Sequence, residues 1–358
     1  MDRTLSAPGK LFLSGEFAVL WGGEARIVGI GPRAHAFVRS RDDRRVDIVL
    51  AGGRLSGHAT PAGVRWAAPV TDDFKFVSVA VDLAYRLSGV EGPGFSVAFE
   101  PSPLVNGHKL GIGSSARAAV LAVEAARHAL GATWDTLKLS LLAHADAQNG
   151  KGSGADVAAS FAGGVVRYRR FDASTLLTAA ARGGLVSAVE QSQPVHLARM
   201  GEPVFTMIYA FSGKSASTTG LVKEVERRLD VEARKRFVDR SDAHSEALEH
   251  GLLRRDFDAV KSASGALQAL LWELEVTRTD ELERILGIAR TFGCGGKQSG
   301  AGGGDGAILF APDESTATQL IESLSARDFV AFRVNPERGL QGEVTRHPLL
   351  SSWLDAVD

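Results

Sequence analysis

The sequence predicts an α+β protein of two domains, and three observations lead there. Its 358 residues amount to about two domains at roughly 150 residues each. Residues 10–100 read mainly as short strands, and helices take over from residue 114. From residue 203 a new strand opens a region that closes strand–helix–strand, the mark of an α+β unit. The boundary falls near residue 195, giving domains 1–195 and 196–358.

Each element follows from local pattern. Residues 10–20, 25–30, 35–40, 46–50 and 95–100 are rich in β-branched and aromatic side chains and are punctuated by Gly and Pro. One helix interrupts at 76–89, with Val77, Val81 and Tyr85 on one face and Gly89 as its stop. Residues 114–131 are dominated by strong helix formers and are apolar almost all round, which predicts a buried helix ending at Gly131. A second helix spans 134–148, with Leu137, Leu141 and Ala145 in register. A strand pair is expected around 163–171 and a buried strand at 203–213. Three amphipathic segments follow near 218–249, 255–275 and 279–291, then strand 306–312, helix 314–327 and strand 329–335. There is no internal repeat.

Bulk properties narrow the function. A composition 44% hydrophobic and 23% charged suits a globular protein with a sizeable core. The net charge of -1 gives no electrostatic case for nucleic acid or an anionic membrane. One cysteine, Cys294, excludes an internal disulfide and a thiolate zinc cluster. No segment has signal-peptide character or the ~20 apolar residues of a membrane span, so a cytoplasmic location is expected. The 40 glycines are clustered, and the clusters are where chemistry is expected.

"KLGIGSSARAAV" (109–120) places Gly111, Gly113, Ser114 and Ser115 at a helix start. Unpaired amides and the positive end of the helix dipole make such a start an anion site, and glycine lets a phosphate come close. The serine hydroxyls can cap the helix, bind a phosphate oxygen or ligate Mg²⁺. The loop is neither a Walker A sequence nor a dinucleotide fingerprint, because Ala116 stands where the third glycine belongs. "KGSGADVAAS" (151–160) sets Asp156 among small residues, as a turn or cap residue or as a functional carboxylate. "KQSGAGGGDG" (297–306) is denser in glycine than a turn needs and runs straight into an apolar strand, unlike a linker.

Together these stretches resemble the GHMP kinases, the superfamily of galactokinase, homoserine kinase, mevalonate kinase and phosphomevalonate kinase. "APGKLFLSGEFAVL" (7–20), "LGIGSSARA" (110–118) and "KQSGAGGGDGAILF" (297–310) are similar to its three motifs, in order and across nearly the whole chain. The resemblance implies an N-terminal ATP-binding domain like ribosomal protein S5 domain 2 and a ferredoxin-like C-terminal domain, with the substrates in the cleft between them. Within the superfamily, "GKGSGADVAAS" (150–160), "SGKSASTTGLV" (212–222) and "FKFVSVAVDLA" (74–84) look most like the phosphomevalonate kinase family.

That resemblance implies transfer of the ATP γ-phosphoryl to 5-phosphomevalonate, in the mevalonate route to isoprenoids. It assigns Lys10 as a fixed positive charge beside the reacting groups and Asp156 as the carboxylate that orients the acceptor or takes its proton. Lys109, Gly111, Gly113, Ser114, Ser115 and Ala116 would hold the nucleotide phosphates, with Ser114 on Mg²⁺. Ser153, Gly154, Lys214, Ser215, Ser217 and Thr218 would face the substrate. Ala301, Gly302 and Gly303 would line the cleft floor. A homodimer is compatible with the sequence but not required by it. Mevalonate kinase, another small-molecule kinase of the superfamily, or a catalytically silent metabolite sensor are the alternatives; retention of Lys10, Ser114 and Asp156 argues against the last.

Three departures stand out. Arg117 replaces a small residue and could contact phosphate or point to solvent. Ala145 stands where mevalonate kinases place a Mg²⁺-binding Glu, and its neighbour Asp146 should face about 100° away on a helix. Asn149 and Gly152 replace the His and Pro of the mevalonate kinase segment. The arginine-rich stretches 167–170 and 232–240 read as solvated faces, and no histidines have the spacing of a metal-binding motif.

Overall fold

The structure, a computed structural model, describes residues 2–89, 92–101, 104–105, 108–214 and 218–357. The chain begins with β1 (Arg3–Ser14), a short 3₁₀ turn (Ala18–Trp21), β2 (Glu24–Ser40), β3 (Arg45–Leu50), β4 (Gly53–Thr60) and β5 (Gly63–Trp66). Then come α1 (Lys75–Ser88), β6 (Phe95–Phe99) and the small hairpin β7 (Leu104–Val105) and β8 (His108–Lys109). Three helices follow: α2 (Ser114–Ala129), α3 (Thr136–Ala147) and α4 (Ala155–Ala162). β9 (Val165–Arg169), α5 (Ala173–Gly183), α6 (Leu185–Gln191) and β10 (Leu197–Arg199) complete this region.

These strands make one sheet, ordered β10-β9-β2-β6-β3-β4-β5, with β1 on the other side of β2. β2 is its spine. Its first residues pair with β9, its last with β6, and nearly its whole length with β1. The sequence suggested two strands here because Gly31 and Pro32 interrupt the pattern. They form an irregularity inside one strand: the pairing with β1 jumps from Gly9↔Ile30 to Ala7↔Ala34. Proline has no amide proton for the ladder, so a bulge absorbs it. The expected strand 10–20 ends at Ser14, and the rest is the 3₁₀ turn. Helices α1, α2, α3 and α4 cover one face of the sheet and share its core through Val81, Val120, Leu142 and Val157.

The second region holds β11 (Thr206–Phe211), α7 (Thr218–Arg228), α8 (Val231–Arg254), α9 (Phe257–Trp272) and α10 (Asp280–Thr291). It continues with β12 (Gly295–Ser299), β13 (Gly306–Ala311), α11 (Glu314–Ser325) and β14 (Val330–Val334). Its sheet is antiparallel, in the order β12-β13-β11-β14. β11 alternates strictly: Ile208 and Ala210 pack with α10 and α11, while Met207, Tyr209 and Phe211 face Leu11, Leu110 and Ile112 of the first region. The expected segment 218–249 is two helices. Asp230 divides them, its side chain accepting the Ala233 amide to start α8.

The chain then returns. β15 (Gln341–Glu343) pairs with β1, and α12 (Pro348–Asp355) packs Leu350 and Leu354 against Phe37, Val49 and Ala98 of the first sheet. Both β10 and this final segment therefore lie on the first sheet, beyond residue 195. Among the described residues no helix is long and apolar enough to cross a membrane.

Candidate active site

A cavity of about 420 Å³ lies where the two regions meet, at the start of α2. The loop before α2 is held from both sides. Tyr209 Oη of β11 donates to Leu110 O at 2.7 Å, and the Lys10 amide of β1 donates to Ile112 O at 3.0 Å. Gly113 then sits at φ 83°, ψ 49°, a left-handed conformation that costs glycine little, and is the N-cap of α2 with no side-chain cap. The serine hydroxyls are thus not spent on capping, and the first-turn amides of a 16-residue helix face the cavity. Ser114 and Ser115 line it directly, whereas the Ala116 side chain is buried in the core behind. Lys109 ends β8, immediately before the loop.

Lys10 and Asp156 meet across Gly113. A Cβ on that glycine would lie 3.1 Å from Lys10 Cγ and 3.7 Å from Asp156 Cβ. The Lys10 ammonium donates to Gly111 O at 3.1 Å and does not pair directly with Asp156, although both line the cavity. Asp156 lies in the first turn of α4 and accepts the Val157 amide at 3.0 Å. Its other oxygen lies 3.7 Å from Nε2 of His144, a residue the sequence reading passed over. His144 is buried, stacks on Phe76, and lies 3.2 Å from Ser115 Oγ. It connects the Ser115 turn to Asp156, a relation invisible without the fold because it joins α2, α3 and α4.

A second overlooked feature is a buried ion pair whose Glu16 lines the cavity. Glu16, just after β1, is ion-paired with Lys297 of β12, and both are almost fully buried. Burial pulls the Lys297 ammonium below its ordinary pKa, and Glu16 pushes back. Lys151, Arg170 and Lys223 also line the cavity with Lys10 and Arg117, set against the carboxylates of Glu16, Asp156, Glu226 and Asp305. Arg117 does not reach solvent: it is 1% exposed.

Several expected residues lie elsewhere. Gly302 and Gly303 do not line the cavity. A Cβ on Gly302 would stand 2.6 Å from the backbone Thr277 O, so close packing demands that glycine, while Gly303 sits at φ 70°, where the left-handed backbone favours one. Ala301 is on the cavity wall, packed with Phe17 and Leu271. Gly154 caps α4 and abuts Leu141 and Tyr168 outside the main cavity, while its neighbour Ser153 lines it. Lys214 is turned outward, 68% exposed, and bound to Glu281 at 2.5 Å, which raises its pKa. Ser215 and Ser217 fall outside the described residues, and Thr218 begins α7. Asp146 is exposed and away from the cavity, as its helical angle implied.

One cluster outside the cavity has metal-capable atoms. His35, Glu100 and His347 bring theirs within 4.8 Å of one another. His347 Nδ1, however, accepts the Leu350 amide to cap α12, which leaves the proton on Nε2 and no lone pair there for a metal.

The family model for the GHMP kinases N terminal domain matches residues 77–164, and that for the GHMP kinases C terminal matches 248–330. A phosphomevalonate kinase of Streptomyces sp. (strain CL190) is 29% identical, covering 87% of this chain and 90% of that protein. A mevalonate kinase of Aeropyrum pernix is 27% identical, covering 91% and 94%. The crystal structure of a Streptococcus pneumoniae phosphomevalonate kinase in complex with phosphomevalonate and AMPPNP superimposes with a TM-score of 0.78 at 19% identity, covering 92% and 99%, and carries the likeness of fold. With both halves matched in chain order around one cavity, the chain belongs to the GHMP kinase superfamily.

Proposed function

We propose that this protein transfers the γ-phosphoryl group of ATP to the phosphate of 5-phosphomevalonate, giving 5-diphosphomevalonate and ADP. The observation that carries the reading is the uncapped start of α2, opening with Lys10 and Asp156 into one cavity that Arg117, Lys151, Arg170 and Lys223 also line. The acceptor is supported by the phosphomevalonate kinase of 29% identity. A new P–O bond forms from an acceptor phosphate oxygen as the bond to the β-phosphate oxygen breaks. Such transfers depend on positioning and on charge compensation more than on covalent participation.

The amides of Ser114, Ser115 and Ala116 and the Lys10 ammonium hold and neutralise the nucleotide phosphates. Asp156 orients the acceptor. A phosphate acceptor is already largely ionised near pH 7, so this carboxylate has little proton to remove. Ser114 Oγ and the Asp156 carboxylate are hard oxygen donors on the same cavity and fit Mg²⁺, which when bound neutralises phosphate oxygens. Ala145 contributes no donor. A cytoplasmic setting suits a chain whose one cysteine is free and buried.

Mevalonate kinase is the second reading, favoured by the relative of 27% identity. Measuring ADP release with Mg-ATP and mevalonate, 5-phosphomevalonate, homoserine or galactose separates them. Turnover is expected with 5-phosphomevalonate; turnover with mevalonate in its place overturns the proposal.

A further inference from the structure

Arg117 is placed where elementary electrostatics disfavours it. It stands in the first turn of α2, whose dipole repels a cation. It heads the largest side chains that are fully buried. Its Nη1 donates to Pro32 O at 3.0 Å, but its buried Nε finds no partner among the described residues. Burial brings its pKa down to about 10, against a weaker opposing influence from Glu100. Glu100 is itself engaged by His35 at 2.8 Å and is half-exposed. A buried guanidinium whose Nε is left without a partner is costly unless an anion compensates its charge. The cavity it borders is where the α2 amides and Lys10 converge.

We infer that Arg117 forms the back wall of an anion subsite, its guanidinium charge completed by a phosphoryl group seated at the start of α2. This deepens the kinase reading and rests on it. The phosphoryl group can belong to the nucleotide or to the acceptor, and the two are told apart below.

The test compares wild type with Arg117→Met and Arg117→Lys. Thermal unfolding is followed alone and with Mg-AMPPNP, 5-phosphomevalonate or inorganic pyrophosphate, and KM is measured for each substrate. A binding role predicts that Arg117→Met unfolds at or above the wild-type temperature without ligand, since an ill-paired buried charge has gone. It also predicts that the pyrophosphate-induced shift falls by more than half. One KM rises about 10–100-fold, the span of a lost hydrogen bond to a charged group, and Arg117→Lys recovers part. A raised KM for ATP assigns the nucleotide phosphate; a raised KM for phosphomevalonate assigns the acceptor. If wild type ignores phosphomevalonate yet pyrophosphate stabilises it and not Arg117→Met, the acceptor assignment fails and the subsite stands. If Arg117→Met unfolds earlier but responds to all three ligands like wild type, Arg117 merely braces the Gly31–Pro32 bend and the inference is overturned.

Discussion

At the scale of single residues, the proposed function rests on Asp156 and the groups around it. Its side chain is 23% exposed, reaching the cavity while the Val157 amide holds one oxygen and His144 Nε2 lies 3.7 Å from the other. Asp156→Asn keeps the shape and removes the charge. Its kcat should fall by about 10²–10⁴-fold, the range for a positioned proton-transfer or orienting group, with thermal stability close to wild type. Steady-state assays with both substrates check this, and near-normal turnover would remove Asp156 from its role. That Lys10, Ser114 and Asp156 share one cavity was foreshadowed in the sequence by the glycines beside them, which mark where backbone must come close. His144 and the Glu16–Lys297 pair were not. Glu16 and Lys297 are 281 positions apart, and no local pattern announces such a partner. Lys214 misled for the opposite reason: a lysine in a polar loop looks the same in sequence whether it faces a cavity or, as here, Glu281.

At the scale of elements, the glycine-rich segment 297–306 shows tertiary context overriding propensity. Gly295–Ser299 has little of a strand's composition, yet it forms β12 because β13 offers it a ladder and Gln268 Nε2 donates to Gln298 Oε1 at 3.2 Å. Of the glycines that follow, Gly302 serves packing against Thr277. Gly302→Ala would put a methyl against Thr277 O at φ 77°. It should destabilise the fold by about 1–3 kcal/mol, as overpacking at a left-handed position does. Urea denaturation measures it; an unchanged midpoint would mean that the loop relaxes freely and that its glycines answer to something else. Strongly periodic helices such as α2 and α3 were readable because their apolar residues recur without interruption. The division between α7 and α8 was not, since it turns on the single cap Asp230.

At the scale of the whole molecule, the α+β class was readable, because strand-like and helix-like segments separate cleanly along the chain. How the regions join was not. Glu249 of α8 is buried and receives Arg26 of β2 at 3.0 Å and Arg167 of β9, tying a helix of the second region to the first sheet. Glu249→Gln leaves Arg26 with only Glu24, 3.4 Å away, as its charged partner and should cost about 1.5–3 kcal/mol, the usual worth of a hydrogen bond to a charged group. A smaller change in urea denaturation would place that junction on apolar contacts such as Leu248 and Leu252 alone. The pairing of β1 with β15 was equally hidden, since it joins Thr4 to Glu343. It also has a meaning for biosynthesis. Translation runs from β1 towards β15, and at 5–20 residues per second the uncovered side of β1 waits roughly 20–70 s for its neighbour. Throughout that interval the nascent chain carries Thr4, Leu5 and Ser6 as an open strand edge.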